Sequence, residues 1–494
     1  MKSSEPQQPR AERREHVVVP RVHLREPADL LATTLRGIRD QLQLAESFQP
    51  EVEAEAAKAV DTARLPDADQ TDIAFVTIDP AGATDLDQAV HLERAGDGYR
   101  VRYAIADVPS FVVPGGAIDT AARLRGQTIY APGGRIPLHP VIISEHAASL
   151  LAGQLRGAFV WTFELDAHAN ITSTTLELAK IRSRSQLSYD TVQKQLDDGT
   201  AEQWLLLLKE VGLGREELER ERGGASLNRP DEEVEFVDNR YTLLRRNALP
   251  VEGWNAQISL MTGMAAAQIM IGGRIGILRT MPAPWPDALE RFRAQVAALG
   301  CPWPTTQNYG EYLRALDPSD PRSLAVTHAA ASLFRGAGYT AFDGDVPVGL
   351  VQAAVGASYT HATAPLRRLV DRFVLVTCEA LVAGKPVPQW VRDALPTLPK
   401  IMGTADGVAS RLEHASVDAI EAALLEPRVG EVFDGVVIAT KQAADGTVTG
   451  GSIQLTDPVV TATIEGAVTA GTTVKATLVT ADIATGAVLF RAAN

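Results

Sequence analysis

Thr77-Ile-Asp-Pro-Ala-Gly-Ala-Thr-Asp-Leu-Asp-Gln-Ala-Val90 is the stretch whose reading decides the fold. Phe75-Val-Thr-Ile78, just before it, has the apolar texture of a short buried strand. Pro80 and Gly82 then break the strand into a tight loop of small residues. That loop brings three carboxylates together, Asp79, Asp85 and Asp87, before the chain turns apolar again at Ala89-Val90. Like charges this close repel, by about 1 kcal/mol per pair in water and more once desolvated. A hard cation between them removes the cost, and an all-oxygen set suits Mg²⁺ or Mn²⁺ better than zinc. Turn formation is the competing reading, because aspartate is common in loops. An EF-hand fits poorly, since its glycine and closing glutamate are missing at the required offsets.

Outward from the loop, His91-Leu-Glu-Arg94, a Gly-Asp turn and Tyr99–Ile105 read as a β-hairpin. Tyr99, Val101, Tyr103 and Ile105 alternate with Arg100 and Arg102, which predicts one core face and one wet face. Residues 1–16 are polar and charged and read as a flexible tail. Residues 17–69 form a small, mainly helical N-terminal module, with a winged helix as one option. Mixed α/β texture runs through 70–400, a helical connection through 401–428, and short strands with Gly/Asp turns through 429–494. The last unit has the size of a five-stranded OB-type barrel. Gly223-Gly-Ala-Ser226 and Asp231-Glu-Glu233 read as a surface connection.

The chain has 494 residues, a net charge of −14 and an ordinary 45% hydrophobic content, enough for several domains with a sizeable core. The acidic balance argues against a non-specific nucleic-acid binder, so an anionic substrate would need local basic clusters and metal. No apolar run is long enough to span a bilayer, and no membrane association is expected. Cys301 and Cys378 are too few for a disulfide framework, which suits a cytoplasmic protein. A monomer is expected.

A second basic site lies far along the chain, in Thr363-Ala-Pro-Leu-Arg-Arg-Leu-Val-Asp-Arg-Phe373. Apolar residues from Leu366 to Leu381 recur every three or four positions and predict a helix opening here, with Pro365 in its first turn. Arg367, Arg368 and Arg372 cluster at its start. One reading is a solvated face with an Arg367–Asp371 pair. The other aims Arg367 at a phosphate, helped by free amides at the helix end. A carboxylate–metal cage with an arginine is what phosphodiester hydrolysis requires.

The motifs Thr77-Ile-Asp-Pro, Asp85-Leu-Asp-Gln88, Ile105-Ala-Asp-Val108, Ile129-Tyr-Ala-Pro, Ile136-Pro-Leu-His-Pro140, Gly223-Gly-Ala and Thr363-Ala-Pro-Leu-Arg-Arg368 occur in this order. Together they resemble the RNB catalytic domain of the ribonuclease II/ribonuclease R family over roughly 70–400. The terminal unit resembles the OB-fold RNA-binding domain that follows it. The fold class expected is therefore α+β: a mixed α/β RNB domain between a helical N-terminal module and a C-terminal OB-type barrel. The resemblance implies a metal-dependent 3′→5′ exoribonuclease that hydrolyses single-stranded RNA to nucleoside 5′-monophosphates. It implies Asp85, Asp87 and Arg367 as catalytic residues, and Asp79, Asp85, Asp87 and Gln88 as holders of Mg²⁺ or Mn²⁺. RNA contacts are expected from Tyr130, Arg367, Arg368, Phe433 and Lys441, with Tyr130 stacking on a base.

Three departures from the family pattern stand out. Gln88 occupies the place of a fourth aspartate, so a ligand charge is missing. The chain before residue 70 is too short for two cold-shock-type barrels, and the terminal barrel is poor in aromatic and basic residues. Gln88 supports a rival reading, a catalytically weak RNB-type RNA-binding regulator. A phosphodiesterase for small nucleotides is a third reading, against which the terminal barrel counts.

Overall fold

The computed structural model describes residues 28–493 apart from 133, 226–230, 238–239, 247, 318–319, 332, 334, 456 and 459. At 28–29, 231–237, 240–246, 321, 324 and 328 it describes the backbone alone. The expected tail and the start of the N-terminal module lie outside the described residues.

A seven-stranded sheet carries the carboxylate loop. Four strands come first: β1 (Ala68–Asp69), β2 (Val76–Asp79), β3 (Gln88–Ala95) and β4 (Gly98–Ala106). A separate ribbon of β5 (Ile129–Ala131) and β6 (Gly134–Ile136) follows, and then β7 (Leu155–Leu165), β8 (Ile171–Arg182) and β9 (Ser185–Ser188). The spatial order is β1-β8-β7-β4-β3-β2-β9, with β1–β8 and β2–β9 parallel and the other neighbours antiparallel. The hairpin expected around Gly96-Asp97 is present, with Ala95 opposite Gly98. Gly98 cannot carry a side chain, because a Cβ there would stand 1.9 Å from the Leu165 carbonyl oxygen.

Helices cover both faces. Residues before the sheet form α1 (Ala28–Gln41) and α2 (Pro50–Thr62), and α3 (Ala117–Arg125) follows β4. On the far side lie α4 (Tyr189–Asp197), α5 (Gln203–Glu221) and α6 (Pro250–Gly273). Tyr99, Val101, Tyr103 and Ile105 pack against α5 and α6, while Ala104 and Ala106 pack towards α2 and α3. The second face of β4 is thus wet only at Arg100 and Arg102, which pair with Glu93 and Glu164. The acidic stretch read as a surface connection is part of a hairpin, β10 (Asp231–Val237) with β11 (Arg240–Arg246).

Next come β12 (Ile275–Thr280) and the helices α7 (Pro286–Ala298), α8 (Tyr309–Arg314) and α9 (Pro321–Ala331). Short strands β13 (Gly338–Asp343), β14 (Val351–Gln352) and β15 (Ala357–Ser358) lead to α10 (Leu369–Val382), α11 (Gln389–Ala394) and α12 (Leu398–Leu425). The terminal unit is the expected five-stranded closed barrel, from β16 (Val432–Gln442), β17 (Val448–Leu455), β18 (Thr461–Glu465), β19 (Thr473–Asp482) and β20 (Ala487–Ala492). Phe433 is only 4% exposed and meets Phe490 edge-on in the barrel core. Its expected RNA contact is corrected: the inward register of β16 leaves its ring no open face. Lys441 is exposed near the end of the same strand.

The N-terminal helices dock separately. Leu31 and Leu35 of α1 pack on α12 and Ile483, whereas Val52 and Ala56 of α2 join the sheet core. Among the described residues before β1 there is no strand, hence no wing.

The helix predicted from Thr363 begins only at Leu369. Pro365 disfavours helical backbone at Ala364, and neighbours take up the groups that a helix would use. The Leu369 amide donates to Gly126 O (3.0 Å), and the Thr128 amide donates to Arg367 O (2.8 Å). The predicted Arg367–Asp371 pair is replaced by Arg368–Asp371, and Arg372 instead reaches Asp119 on α3. Both partners of that last pair are about 1% exposed. Removing one partner of such a pair leaves a buried charge unmatched. Asp119→Ala should therefore lower unfolding free energy by about 3–5 kcal/mol in urea titration, and a loss below 1 kcal/mol would show that Arg372 finds another partner.

Candidate active site

Strand β2 ends at Asp79, strand β3 begins at Gln88, and the connecting loop hangs Asp85 and Asp87 between them. Gly82 turns the loop with φ +81°, a conformation that costs glycine little. Leu86 and Asp87 are buried, and the Leu86 amide donates to Ser149 Oγ (3.0 Å), so the loop is anchored between its two aspartates.

Asp79 is half-buried, and its Oδ2 has no hydrogen-bond partner. Burial, with Asp85 adding repulsion and Arg367 opposing, pushes its carboxyl up to about 7. Asp87 is 2% exposed, and burial holds its carboxyl well above the usual range against Arg367 and the Leu366 amide. Its Oδ1 accepts from Leu366 N–H (2.7 Å), and its Oδ2 lies 3.6 Å from Arg367 Nε. Arg367 is about half exposed, with a free edge for an anion. The Gln88 side-chain amide donates to the Thr363 carbonyl, so this loop and residues 363–367 are joined twice.

Asp85 faces elsewhere. Its Oδ1 accepts from Arg135 Nη1 (2.7 Å), and its Oδ2 accepts from the Tyr130 hydroxyl (3.3 Å). Tyr130 and Arg135 are paired across the β5–β6 ribbon, and Tyr130 is 54% exposed. The ribbon is held by α1: Ile38 packs with Ile129 and Ile136, and Arg39 Nη2 donates to Pro132 O (2.8 Å). Behind Asp79 stands Tyr189, whose hydroxyl accepts from Asn255 Nδ2 (3.2 Å). Burial, with Asp79 adding to it, pushes the Tyr189 phenol up to about 12.

Arg368 does not belong to the open site. Its guanidinium is bound bidentately by Asp371, whose carboxylate is fully buried and also accepts from the Ala364 amide (2.8 Å). The expected RNA contact at Arg368 is corrected: the pair fixes the turn that presents Arg367. Lys441 and Phe433 lie in the terminal barrel, outside this set of contacts.

Sequence reasoning missed Arg135, Glu145 and Tyr189, and it gave Asp371 the wrong arginine. Arg135 carried one weak signal, a lone base after Gly133-Gly134 in a turn. Glu145 and Tyr189 had none, because their roles come from distant partners.

The donor set fits a hard cation in part. An orphaned, buried carboxylate oxygen on Asp79 and an Asp87 carboxyl that burial raises above its usual range suit a site that a hard, oxygen-ligated cation would relieve. Among the described residues no three acidic, His or Cys side chains converge on one point.

The RNB domain family model matches residues 68–384, and the RNase II-type exonuclease C-terminal S1 domain model matches 431–493. The chain is 25% identical to ribonuclease R of Mycoplasma genitalium over 396 residues, covering 75% of this chain and 54% of that protein. It spans between about a third and about half of the length of the curated relatives that it matches over more than 300 residues. Its fold resembles Mycoplasma genitalium RNase R in complex with ribose methylated single-stranded RNA. There the TM-score is 0.82 at 19% identity, over 94% of this chain and 78% of that one. It also resembles yeast Ssd1, a pseudonuclease, with a TM-score of 0.67 at 15% identity, over 90% of this chain and 56% of that one.

A raised carboxyl pKa has a stability consequence. Between the ordinary value near 4 and about 7, the folded protein holds a proton on Asp79 that the unfolded chain has lost. Metal-free stability should therefore fall as pH rises through that window. Asp79→Asn should stabilise the metal-free protein by about 1–3 kcal/mol at pH 8, the gap closing by about pH 4, in urea titrations with chelator. A gap that is the same at both pH values would mean that Asp79 carries no such proton.

Proposed function

The chain belongs to the RNB-domain family, and from that premise we propose that it is a metal-dependent 3′→5′ exoribonuclease releasing nucleoside 5′-monophosphates from single-stranded RNA. The observation that carries this reading is the double junction of Asp87-Gln88 with Thr363–Arg367. It sets buried carboxylates beside one exposed guanidinium. Resemblance to a solved RNase R bound to single-stranded RNA supports the substrate, and a monomer in the cytoplasm is the setting proposed. No helix among the described residues is long and apolar enough to cross a membrane.

Asp79, Asp85 and Asp87, with the Gln88 amide oxygen, are the groups that would hold Mg²⁺ or Mn²⁺. Such an ion supplies an activated water and neutralises the scissile phosphate. The chain's own residues do the rest. Leu366 N–H fixes the orientation of Asp87, so its second oxygen stays directed at the Arg367 side. Arg367 binds the phosphate and stabilises the charge that grows on it in the transition state. The exposed Tyr130 ring stacks on a base without regard to its identity.

The rival reading, an RNA-binding regulator with little turnover, is favoured by the cations and amides already engaged on the cage. Arg135 is paired with Asp85, and Gln88 is tied to Thr363. Incubation of 5′-labelled single-stranded RNA with the protein and Mg²⁺ or Mn²⁺ separates the two. Progressive shortening to a small labelled product is expected. Asp87→Asn should cut the rate by about 10²–10⁴-fold while RNA still binds, because the amide oxygen can keep the Leu366 bond. Intact RNA in every metal, with a shift on a native gel, would establish the regulator instead. Gln88→Asp should lower the metal concentration for half-maximal rate, and an unchanged titration would show that the missing charge does not limit metal binding.

A further inference from the structure

We propose that Arg135 is a resident cation of the site: its guanidinium fills the place of a second divalent ion and leaves the protein with one. The proposal rests on the metal-dependent reading above and assigns the number of ions to a residue of this chain.

Three oxygens gather around Arg135. Nη1 donates to Asp85 Oδ1 (2.7 Å), and Nη2 lies 2.6 Å from both Glu145 Oε1 and Thr84 Oγ1. Two carboxylates and a hydroxyl are the donor types that a hard cation takes. The Thr84 hydroxyl gives its own proton to Glu145 Oε2 (2.8 Å), which leaves its lone pairs towards the guanidinium. The arrangement is built rather than incidental. Arg135 sits opposite Tyr130 on the ribbon, Tyr130 covers the other Asp85 oxygen, and Arg39 braces the turn through Pro132.

Charge points the same way. Asp79, Asp85, Asp87 and Glu145 are four carboxylates, and among the described residues Arg135 and Arg367 are the two guanidiniums bonded to or facing them. Fully ionised, the set keeps two negative charges, which one divalent ion matches. A second ion would leave a half-buried site strongly positive unless Arg135 moved away. Gln88, being neutral, does not offset this. Arg135 touches Asp85 rather than the substrate, so it is a positioning residue whose pair fixes the Asp85 carboxylate through Oδ1.

The test counts ions. Metal-free protein is titrated with Mn²⁺, and the free ion is measured by electron paramagnetic resonance without RNA. Wild type and Arg135→Lys should bind one ion per chain, and Arg135→Gln should bind two. Circular dichroism melts check that each variant folds. Glu145→Gln provides a second route, since it should still bind one. Two ions on the wild type, one on folded Arg135→Gln, or loss of the ion in Glu145→Gln would overturn the proposal and leave the metal-dependent reading standing. No Mn²⁺ bound to any of the proteins at millimolar concentration would remove both.

Discussion

One short segment, Thr363–Arg368, holds the site together. It is a turn rather than helix, because Pro365 disfavours helical backbone at Ala364 and the amides and carbonyls around it are bonded to Gly126, Thr128, Asp87 and Gln88. Freed from the helix, it lies along the mouth of the carboxylate loop and turns Arg367 outward. Asp371 secures the same segment from within by accepting from Ala364 and holding Arg368. A buried polar cluster of this kind is costly unless every member is satisfied, and that requirement makes the geometry specific. Removing any one contact would leave a buried charge or amide unmatched, so residues nearly 280 positions apart are held as one unit.

The two ends of the cage are treated differently. Asp79 is half-buried and Asp87 buried, both against weak compensation, and burial raises both. Asp85 is partnered by a strong base on one oxygen and a phenol on the other. Unsatisfied charge is concentrated on two carboxylates, where a cation has most to offset, and relieved at the third. The ribbon that provides this relief is fastened by α1, which reaches from the barrel and α12 to Pro132. The short N-terminal stretch thereby acts on the site from outside it.

Much of this was legible in the sequence. The three aspartates, the strand before them, the β4 alternation and the closed terminal barrel all follow from local texture and spacing. The arginines were legible as a group but not as individuals. Helical periodicity from Leu366 to Leu381 is real, yet it extended the helix six residues too early and paired Arg367 with Asp371 by spacing alone. The observed partners are Asp371 for Arg368, Asp119 for Arg372 and Asp87 for Arg367. Phe433 was similarly misread, because an aromatic on a strand shows its type in sequence but not which side of a closed barrel it faces.

By itself the sequence determined which residue types are close along the chain: an oxygen-rich loop, a basic segment, a family pattern linking them and a β-rich terminal unit. These are properties of short-range order, where strand and turn preferences act over a few residues. Tertiary structure alone decided which arginine faces outward, which aspartate is bonded by a guanidinium at 2.7 Å and that Arg135 and Glu145 join the site. Those outcomes depend on desolvation and on partners brought from distant strands and helices, and neither quantity is written in local spacing.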